Sequence, residues 1–145
     1  MNVEGAHLTE LVDEVFRLAD ALTRAGDDIV AGEGLTAARW LTLGAVAHGP
    51  VSVAGIARRR GMRRQSAAEG VAALERAGLV ARIQDPSDAR APLVELTDQG
   101  RATLERIRPL RTEWAERTAR FAEPEELSAA LEVARRLRAE LERGQ

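Results

Sequence analysis

The sequence has no cysteine, no lysine and no tyrosine, and only 3% of its 145 residues are aromatic. The lack of cysteine excludes a disulfide framework, a zinc ribbon and a thiol redox sensor. The two histidines, His7 and His48, show no metal-ligand spacing, so we expect neither a metal nor a cofactor. With so few aromatic residues, the core must consist of leucine, valine, isoleucine and alanine, which favours packed helices over a large sheet.

Features typical of enzymes and membrane proteins are also missing. We find no nucleophile–base pair and no phosphate-binding loop, and therefore expect no enzyme. No apolar run approaches the roughly 18 residues that a membrane span requires, and no basic-then-apolar leader opens the chain. The sequence therefore predicts a soluble cytoplasmic protein without a membrane partner.

The charge is unevenly distributed along the chain. All 21 basic residues are arginines, and the net charge is −5 over residues 1–51, +4 over 52–90 and −1 over 91–145. A basic middle segment in a chain of net charge −2 predicts a local site for a polyanion rather than a general affinity for anions. The planar guanidinium of arginine is well suited to phosphates and guanine edges.

Caps and glycines divide the first two thirds of the chain into helices. Apolar spacing predicts a helix over 7–26, followed by a loop from Gly26 to Gly34. Three shorter helices are expected over 37–47, 53–60 and 63–77, and Thr36 and Ser52 cap the first two. Their breaks at Gly49-Pro50 and Gly61 have the spacing of a helix-turn-helix.

The period of the apolar residues then changes. Residues 79–84 and 92–96 alternate around a polar tip at 85–91, which predicts a β-hairpin with a long loop. Thr97 caps a helix that runs to about residue 121, with a kink or break near Arg108 because of Pro109. A last helix starts with Pro124 and runs to about residue 143. The apolar faces of the first and the last two helices have no partner within the helix-turn-helix and the hairpin, which indicates a homodimer.

Four stretches, taken together, resemble the multiple-antibiotic-resistance regulator (MarR) family. They are LTAARW at 35–40, SVAGIA at 52–57, LERAGLV at 74–80, and a segment from DPSDAR at 85–90 to LTDQG at 96–100. The resemblance implies a mainly α fold with a small β-hairpin wing, in one domain covering 1–145. Its winged helix-turn-helix lobe would span about 35–97, and its helical dimerisation region about 6–30 and 98–143.

The same resemblance implies a homodimeric transcription regulator that binds a pseudo-palindromic operator in double-stranded DNA. Such proteins are usually repressors, and many are released by a small aromatic or anionic effector. The helix over 63–77 would enter the major groove and Arg90 of the wing the minor groove, with Asp88 orienting an arginine through an ion pair. Arg82 would be that partner or a phosphate contact. The expected DNA-binding residues are Ser52, Arg63, Arg64, Gln65, Ser66, Arg82, Asp88 and Arg90.

Two residues depart from the family pattern on the recognition helix. Glu69 stands where many relatives have arginine or another non-acidic residue, and Ala73 stands where a basic residue is frequent. Glu69 either accepts from cytosine N4 or pairs with a neighbouring arginine, Arg63, Arg64 or Arg76. The alternative function is therefore a dimeric ligand-binding or interaction module that has lost specific DNA binding.

The resemblance also implies an effector pocket lined by residues of two helices. Trp40 has a competing interpretation as a core residue, and Arg17 and Arg39 are candidates to face a ligand carboxylate. The expected ligand-binding residues are Phe16, Arg17, Arg39 and Trp40.

Overall fold

The computed structural model describes all 145 residues, and they form two compact units, Met1–Leu110 and Arg111–Gln145. The helices are α1 (Val3–Val30), α2 (Ala37–Ala45), α3 (Val53–Arg60), α4 (Arg64–Arg76), α5 (Asp98–Thr118) and α6 (Pro124–Arg143). The strands are β1 (Val51–Ser52), β2 (Val80–Asp85) and β3 (Asp88–Leu96), and short 3-10 helices cover Ala31–Glu33 and Ala119–Phe121. The fold class predicted from the sequence is confirmed.

Side-chain caps start the helices where the sequence predicted them. The hydroxyl oxygen of Thr36 accepts from the backbone N–H of Arg39 at 3.2 Å, and Thr97 accepts from that of Gly100 at 3.0 Å. Each cap satisfies one of the amide groups that a helix leaves without a partner in its first turn. The helix ends at Gly61 and Gly78 follow because both residues have left-handed backbone, with φ of 61° and 77°.

Helix α1 is longer than predicted, since it continues through Gly26 to Val30. Gly26 is buried, and a Cβ built on it would lie 2.8 Å from the Cβ of Ala37. The glycine therefore permits close contact between α1 and α2 rather than ending the helix. Asp27, predicted to lie in a loop, instead accepts from the backbone N–H of Ala37 at 2.7 Å and so caps α2 from outside.

The sheet is antiparallel with strand order β1-β3-β2, and it differs from the predicted hairpin in two respects. The predicted loop over 85–91 is wrong, because the strands extend to Asp85 and Asp88 and leave Pro86 and Ser87 as the turn. The carboxylate of Asp85 accepts from both the N–H and the hydroxyl of Ser87, at 2.9 and 2.7 Å, which closes this turn. The short strand β1 was not predicted.

The core of the first unit joins the helix-turn-helix, the sheet and the first half of α5. The side chains that are almost fully buried are Val30, Leu43, Val46, Ile56, Val71, Leu74, Val94 and Ile107. Because Ile107 of α5 belongs to this cluster, the N-terminal half of α5 is fixed to the lobe that carries α4 and the hairpin.

Of the kink or break expected near Arg108, the break is absent, because α5 continues past Pro109. A proline in a helix removes a single main-chain hydrogen bond, and the turns on either side remain helical here. In the second unit, α6 starts with Pro124 as predicted and with a capping box between Glu123 and Glu126. No helix is both long enough and apolar enough to span a membrane.

Candidate nucleic-acid interface

Helix α4 has one buried face and one exposed face. Ala67, Val71 and Leu74 are buried in the core, as predicted from their spacing. The four residues at its start, Arg63–Ser66, are all exposed. One face of α4 is therefore packed in the core, while its first turn is open to solvent.

The start of α4 lacks the usual side-chain cap. Arg63 is the N-cap residue rather than the first helical residue, and its side chain makes no capping hydrogen bond. Arginine offers no acceptor to the first amide groups, and two arginines here oppose the helix dipole. An anion that approached this end would meet both the arginine side chains and the uncapped amide groups.

Ser52 is the last residue of β1 and caps α3, as predicted. Its hydroxyl oxygen accepts from the backbone N–H of Gly55 at 3.1 Å. The side chain is only partly buried. The cap uses the oxygen as an acceptor, which leaves the hydroxyl hydrogen available to donate to another group.

Two of the three consecutive arginines that end α3 bind back to α2. Arg59 donates to the carbonyl of Ala45 at 3.0 Å, and Arg60 donates to the carbonyl of Leu41 at 2.8 Å. A Cβ built on Gly44 would lie 2.8 Å from the guanidinium of Arg60. These two side chains therefore bind carbonyl groups near the end of α2, where cations are favourable.

At the wing base, Arg82 of β2 contacts Glu75 of α4, with 3.4 Å between Arg82 Nε and Glu75 Oε1. The predicted ion pair of Asp88 with an arginine is absent, and Asp88 Oδ1 instead accepts from the backbone N–H of Arg90 at 3.0 Å. One carboxylate oxygen of Asp88 is thereby directed towards the main chain of its own strand. The exposed Arg90 is thus oriented through its main chain.

Two aspartates, Asp85 and Asp88, flank the turn of the wing. Hydrogen bonds from the hydroxyl and the N–H of Ser87 hold the pKa of Asp85 below its ordinary value, since they stabilise the ionised carboxylate. Asp88 pairs with Asp85 across the turn. Arg90 therefore lies within five positions of both carboxylates in the sequence.

Of the two interpretations of Glu69, the ion pair with Arg63, Arg64 or Arg76 is absent. Its carboxylate accepts from the side-chain amide of Gln65 at 3.4 Å, and no arginine nitrogen lies within 4 Å. Gln65 stands one turn earlier on the same side of α4, where i,i+4 side chains meet.

The four residues predicted to bind an effector lie on α1 and α2, and no hydrogen bond or ion pair joins the two pairs. Phe16 is 73% exposed, and the neighbouring Arg17 contacts Glu14 at 3.6 Å on the same helix. Arg39 is exposed, whereas Trp40 is half-buried and packs against the core.

An open groove elsewhere, at the start of α6, is lined by Pro124, Glu125, Ser128, Ala129 and Glu132.

An ion pair that the sequence analysis missed connects α5 to the turn before α2. Arg106 binds Glu33 through two hydrogen bonds, from Nε to Oε1 at 2.8 Å and from its terminal nitrogen to Oε2 at 3.0 Å. The same arginine donates to the hydroxyl of the buried Thr103. The bonds from Arg106 hold the pKa of Glu33 below its ordinary value. Partners 73 positions apart carry no local signal in a single sequence.

A helix-turn-helix (α3 and α4) followed by an antiparallel hairpin defines a winged helix-turn-helix, the architecture of a class of DNA-binding transcription regulators. A model of the MarR family matches residues 33–91. A protein of Mycobacterium tuberculosis is 34% identical over 130 residues, which are 90% of this chain and 91% of that protein. The chain belongs to the MarR family of transcription regulators.

The chain is also similar to other proteins named as transcription regulators. The transcriptional activatory protein BadR of Rhodopseudomonas palustris is 35% identical over 95 residues, covering 63% of this chain and 54% of BadR. The regulator BldR from Sulfolobus solfataricus has the same fold, with a TM-score of 0.81, 22% identity and coverage of 94% and 99% of the two chains. The regulator PcaV from Streptomyces coelicolor, solved with its natural ligand, gives a TM-score of 0.71, 26% identity and coverage of 84% and 89%.

Proposed function

We propose that this DNA-binding transcription regulator acts as a cytoplasmic homodimer on a pseudo-palindromic operator, as a repressor that a small ligand releases. The observation that carries the proposal is the first turn of α4. It exposes two arginines, a glutamine and a serine on a helix whose opposite face is anchored in the core. Arginine and glutamine donate to purine edges in the major groove, and this turn offers both.

The homodimer is supported by apolar surface that one chain leaves uncovered. The large exposed apolar side chains of α1 are Val3, Leu8, Leu11, Val12, Val15, Phe16, Leu18 and Leu22, and those of α6 are Leu127, Leu131, Val133 and Leu141. Apolar helix faces of this kind are rare on monomeric proteins and are typical of subunit interfaces. Two lobes related by a dyad would then meet two half-sites of an operator.

The proposed DNA contacts divide into three kinds. Arg63, Arg64, Gln65 and Ser66 would meet base edges and nearby phosphates in the major groove. Ser52 would donate its free hydroxyl hydrogen to a phosphate. Arg90 would enter the minor groove, while Arg82 and Asp88 support the wing through Glu75 and the Arg90 main chain.

For the effector we propose a small aromatic or anionic molecule bound near Phe16, Arg17, Arg39 and Trp40. The support is chemical, because an exposed phenyl ring, a partly exposed indole and two guanidinium groups suit an aromatic carboxylate. The structure of PcaV, a protein of the same fold, contains a natural ligand. Repression is proposed from the family resemblance, whereas BadR is named an activatory protein.

Selection of bound fragments from the genomic DNA, followed by fluorescence-anisotropy titration at several salt concentrations, tests the proposal. We expect one enriched inverted repeat and a log–log salt slope of roughly −0.9 per phosphate contacted. Aromatic carboxylates added to the complex should lower its anisotropy. A reporter gene downstream of the operator then distinguishes repression from activation.

The alternative of a module without specific DNA binding has a distinct outcome. Glu69 and Ala73, which place a negative charge and a small apolar residue on α4, are the observations that favour it. No enriched sequence, together with an intact dimer in sedimentation experiments, would support this alternative and refute the proposal.

A further inference from the structure

The face of α4 opposite the core is defined by its helical geometry. Successive residues turn by about 100°, so Gln65, Glu69 and Arg76 lie on the side opposite the buried Ala67 and Val71. All three are exposed. Glu69 therefore occupies the middle of this outward face, one turn beyond the arginines at the helix start.

The carboxylate of Glu69 has no cationic partner. The nearest arginines along α4 are five or more positions away, and no arginine nitrogen lies within 4 Å of Glu69. Its one side-chain contact is the Gln65 amide, which donates to Oε1 at 3.4 Å. A carboxylate in this position repels the phosphates of any DNA that approaches the outward face, unless a base donates a hydrogen bond to it.

The hydrogen-bond donors on base edges in the major groove are the N4 amino group of cytosine and the N6 amino group of adenine. A carboxylate accepts from cytosine N4 in the usual pairing, whereas glutamine pairs with adenine through an acceptor and a donor together. We propose that Glu69 is a specificity-determining residue that selects a C·G base pair in each half-site, with Gln65 holding its carboxylate in position. This inference rests on the proposed function and adds a base preference to it.

The contact with Gln65 determines which groups of the pair stay free. One N–H of the Gln65 amide donates to Glu69, so the second N–H and the oxygen of that amide, together with the second oxygen of Glu69, remain free for bases. The free oxygen of Glu69 would thus favour an amino group, while Gln65 keeps a donor and an acceptor for a neighbouring base pair. Glu69 discriminates by rejection as well, since a thymine or guanine edge leaves the carboxylate facing an acceptor without a hydrogen bond.

The test is selection from a random double-stranded library by the full chain, followed by anisotropy titration of single-base variants of the enriched site. The wild type should favour C·G at one position per half-site by about tenfold. Glu69→Gln and Glu69→Ala should reduce this preference to below about threefold while leaving the other positions of the site unchanged. Affinity at low salt for sites with another base pair at that position should rise, because the unpaired negative charge is removed.

Glu116→Gln on α5 is the matched control, since it makes the same charge change at an exposed residue without a hydrogen-bond partner. It should leave every base preference unaltered. Gln65→Ala should weaken the C·G preference without abolishing it. An unchanged C·G preference in both Glu69 variants would overturn the inference, even if both variants bound every sequence more tightly. Failure of the wild type to enrich any sequence would instead refute the proposed function.

Discussion

Gly100, in the first turn of α5, lies against the main chain that leads into the wing. A Cβ built on it would be 2.0 Å from the carbonyl oxygen of Leu79, whereas such contacts are essentially never shorter than 3.0 Å. Because the obstacle is backbone, Gly100→Ala requires α5 to move by about 1 Å relative to Leu79. That movement strains the hydrogen bond from Thr97 N–H to the Leu79 carbonyl and the 2.6 Å bond from the Thr97 hydroxyl to the Gly78 carbonyl.

The expected cost follows from these contacts. Overpacking costs about 1–3 kcal/mol and each weakened hydrogen bond about 1 kcal/mol, while alanine returns about 1 kcal/mol of helix propensity. The free energy of unfolding should therefore fall by about 2–4 kcal/mol. For a chain of this size the melting temperature should fall by about 5–15 °C.

Urea and thermal denaturation followed by circular dichroism measure the effect. Gly32→Ala is the control, because a Cβ built on Gly32 would meet nothing within 4 Å beyond its chain neighbours, and its φ is not in the left-handed region. It should change stability by less than about 1 kcal/mol. If Gly100→Ala is as stable as Gly32→Ala, the contact with Leu79 does not limit the side chain and the reasoning is wrong.

Three further changes test other parts of the molecule. Arg90→Ala should weaken operator binding at least about tenfold by anisotropy, since a dimer has two wings, with unchanged circular dichroism; equal affinity would show that the wing does not reach DNA. Ser52→Ala should lower the free energy of unfolding by about 1 kcal/mol, whereas Ser52→Asp should keep the cap and lose DNA affinity. The pKa of Glu33 is lowered in the fold, so its stabilisation is complete above its ordinary value of 4.5 and is lost as the pH falls through the lower folded value. Glu33→Gln should therefore lose less stability than wild type between about pH 5 and pH 3 in urea titrations.

The starts of α2, α3 and α5 were predictable because capping is local. Thr36, Ser52 and Thr97 bond to amide groups three residues ahead, so a few consecutive letters contain both partners. Gly61 and Gly78 mark helix ends for the same reason, since their left-handed backbone depends on the residue itself. The helix-turn-helix follows from these signals alone.

Features that depend on distant partners were not predictable in this way. Gly26 resembles a helix end until Ala37 is known to pack against it. Strand β1 has only two residues, and only its pairing with β3 makes it a strand. The partners of Arg82 and Arg106 were missed because each carboxylate is brought near by tertiary packing rather than by helical spacing.

The same distinction changes how the basic middle segment is understood. Its net charge of +4 predicts a polyanion site, but Arg59, Arg60 and Arg82 each donate to groups of the protein itself. These guanidinium groups keep their charge and still attract DNA at distances up to the Debye length of about 8 Å. Each of them has already used at least one N–H group within the protein, so fewer N–H groups are left to donate to DNA.

Close contact is consequently left to few side chains in each lobe, chiefly Arg63 and Arg64 at the start of α4 and Arg90 in the wing. Glu69 and the two wing aspartates subtract from their attraction for phosphates. A single lobe should therefore bind random DNA weakly, and tight binding should require two lobes on one duplex, because a second linked contact raises avidity without new chemistry. With both lobes on one duplex, a carboxylate on the outward face of α4 lowers the affinity little for a sequence that donates a hydrogen bond to it. It lowers the affinity strongly for other sequences. The acidic residue that weakens general attraction is thus well placed to increase discrimination between sequences.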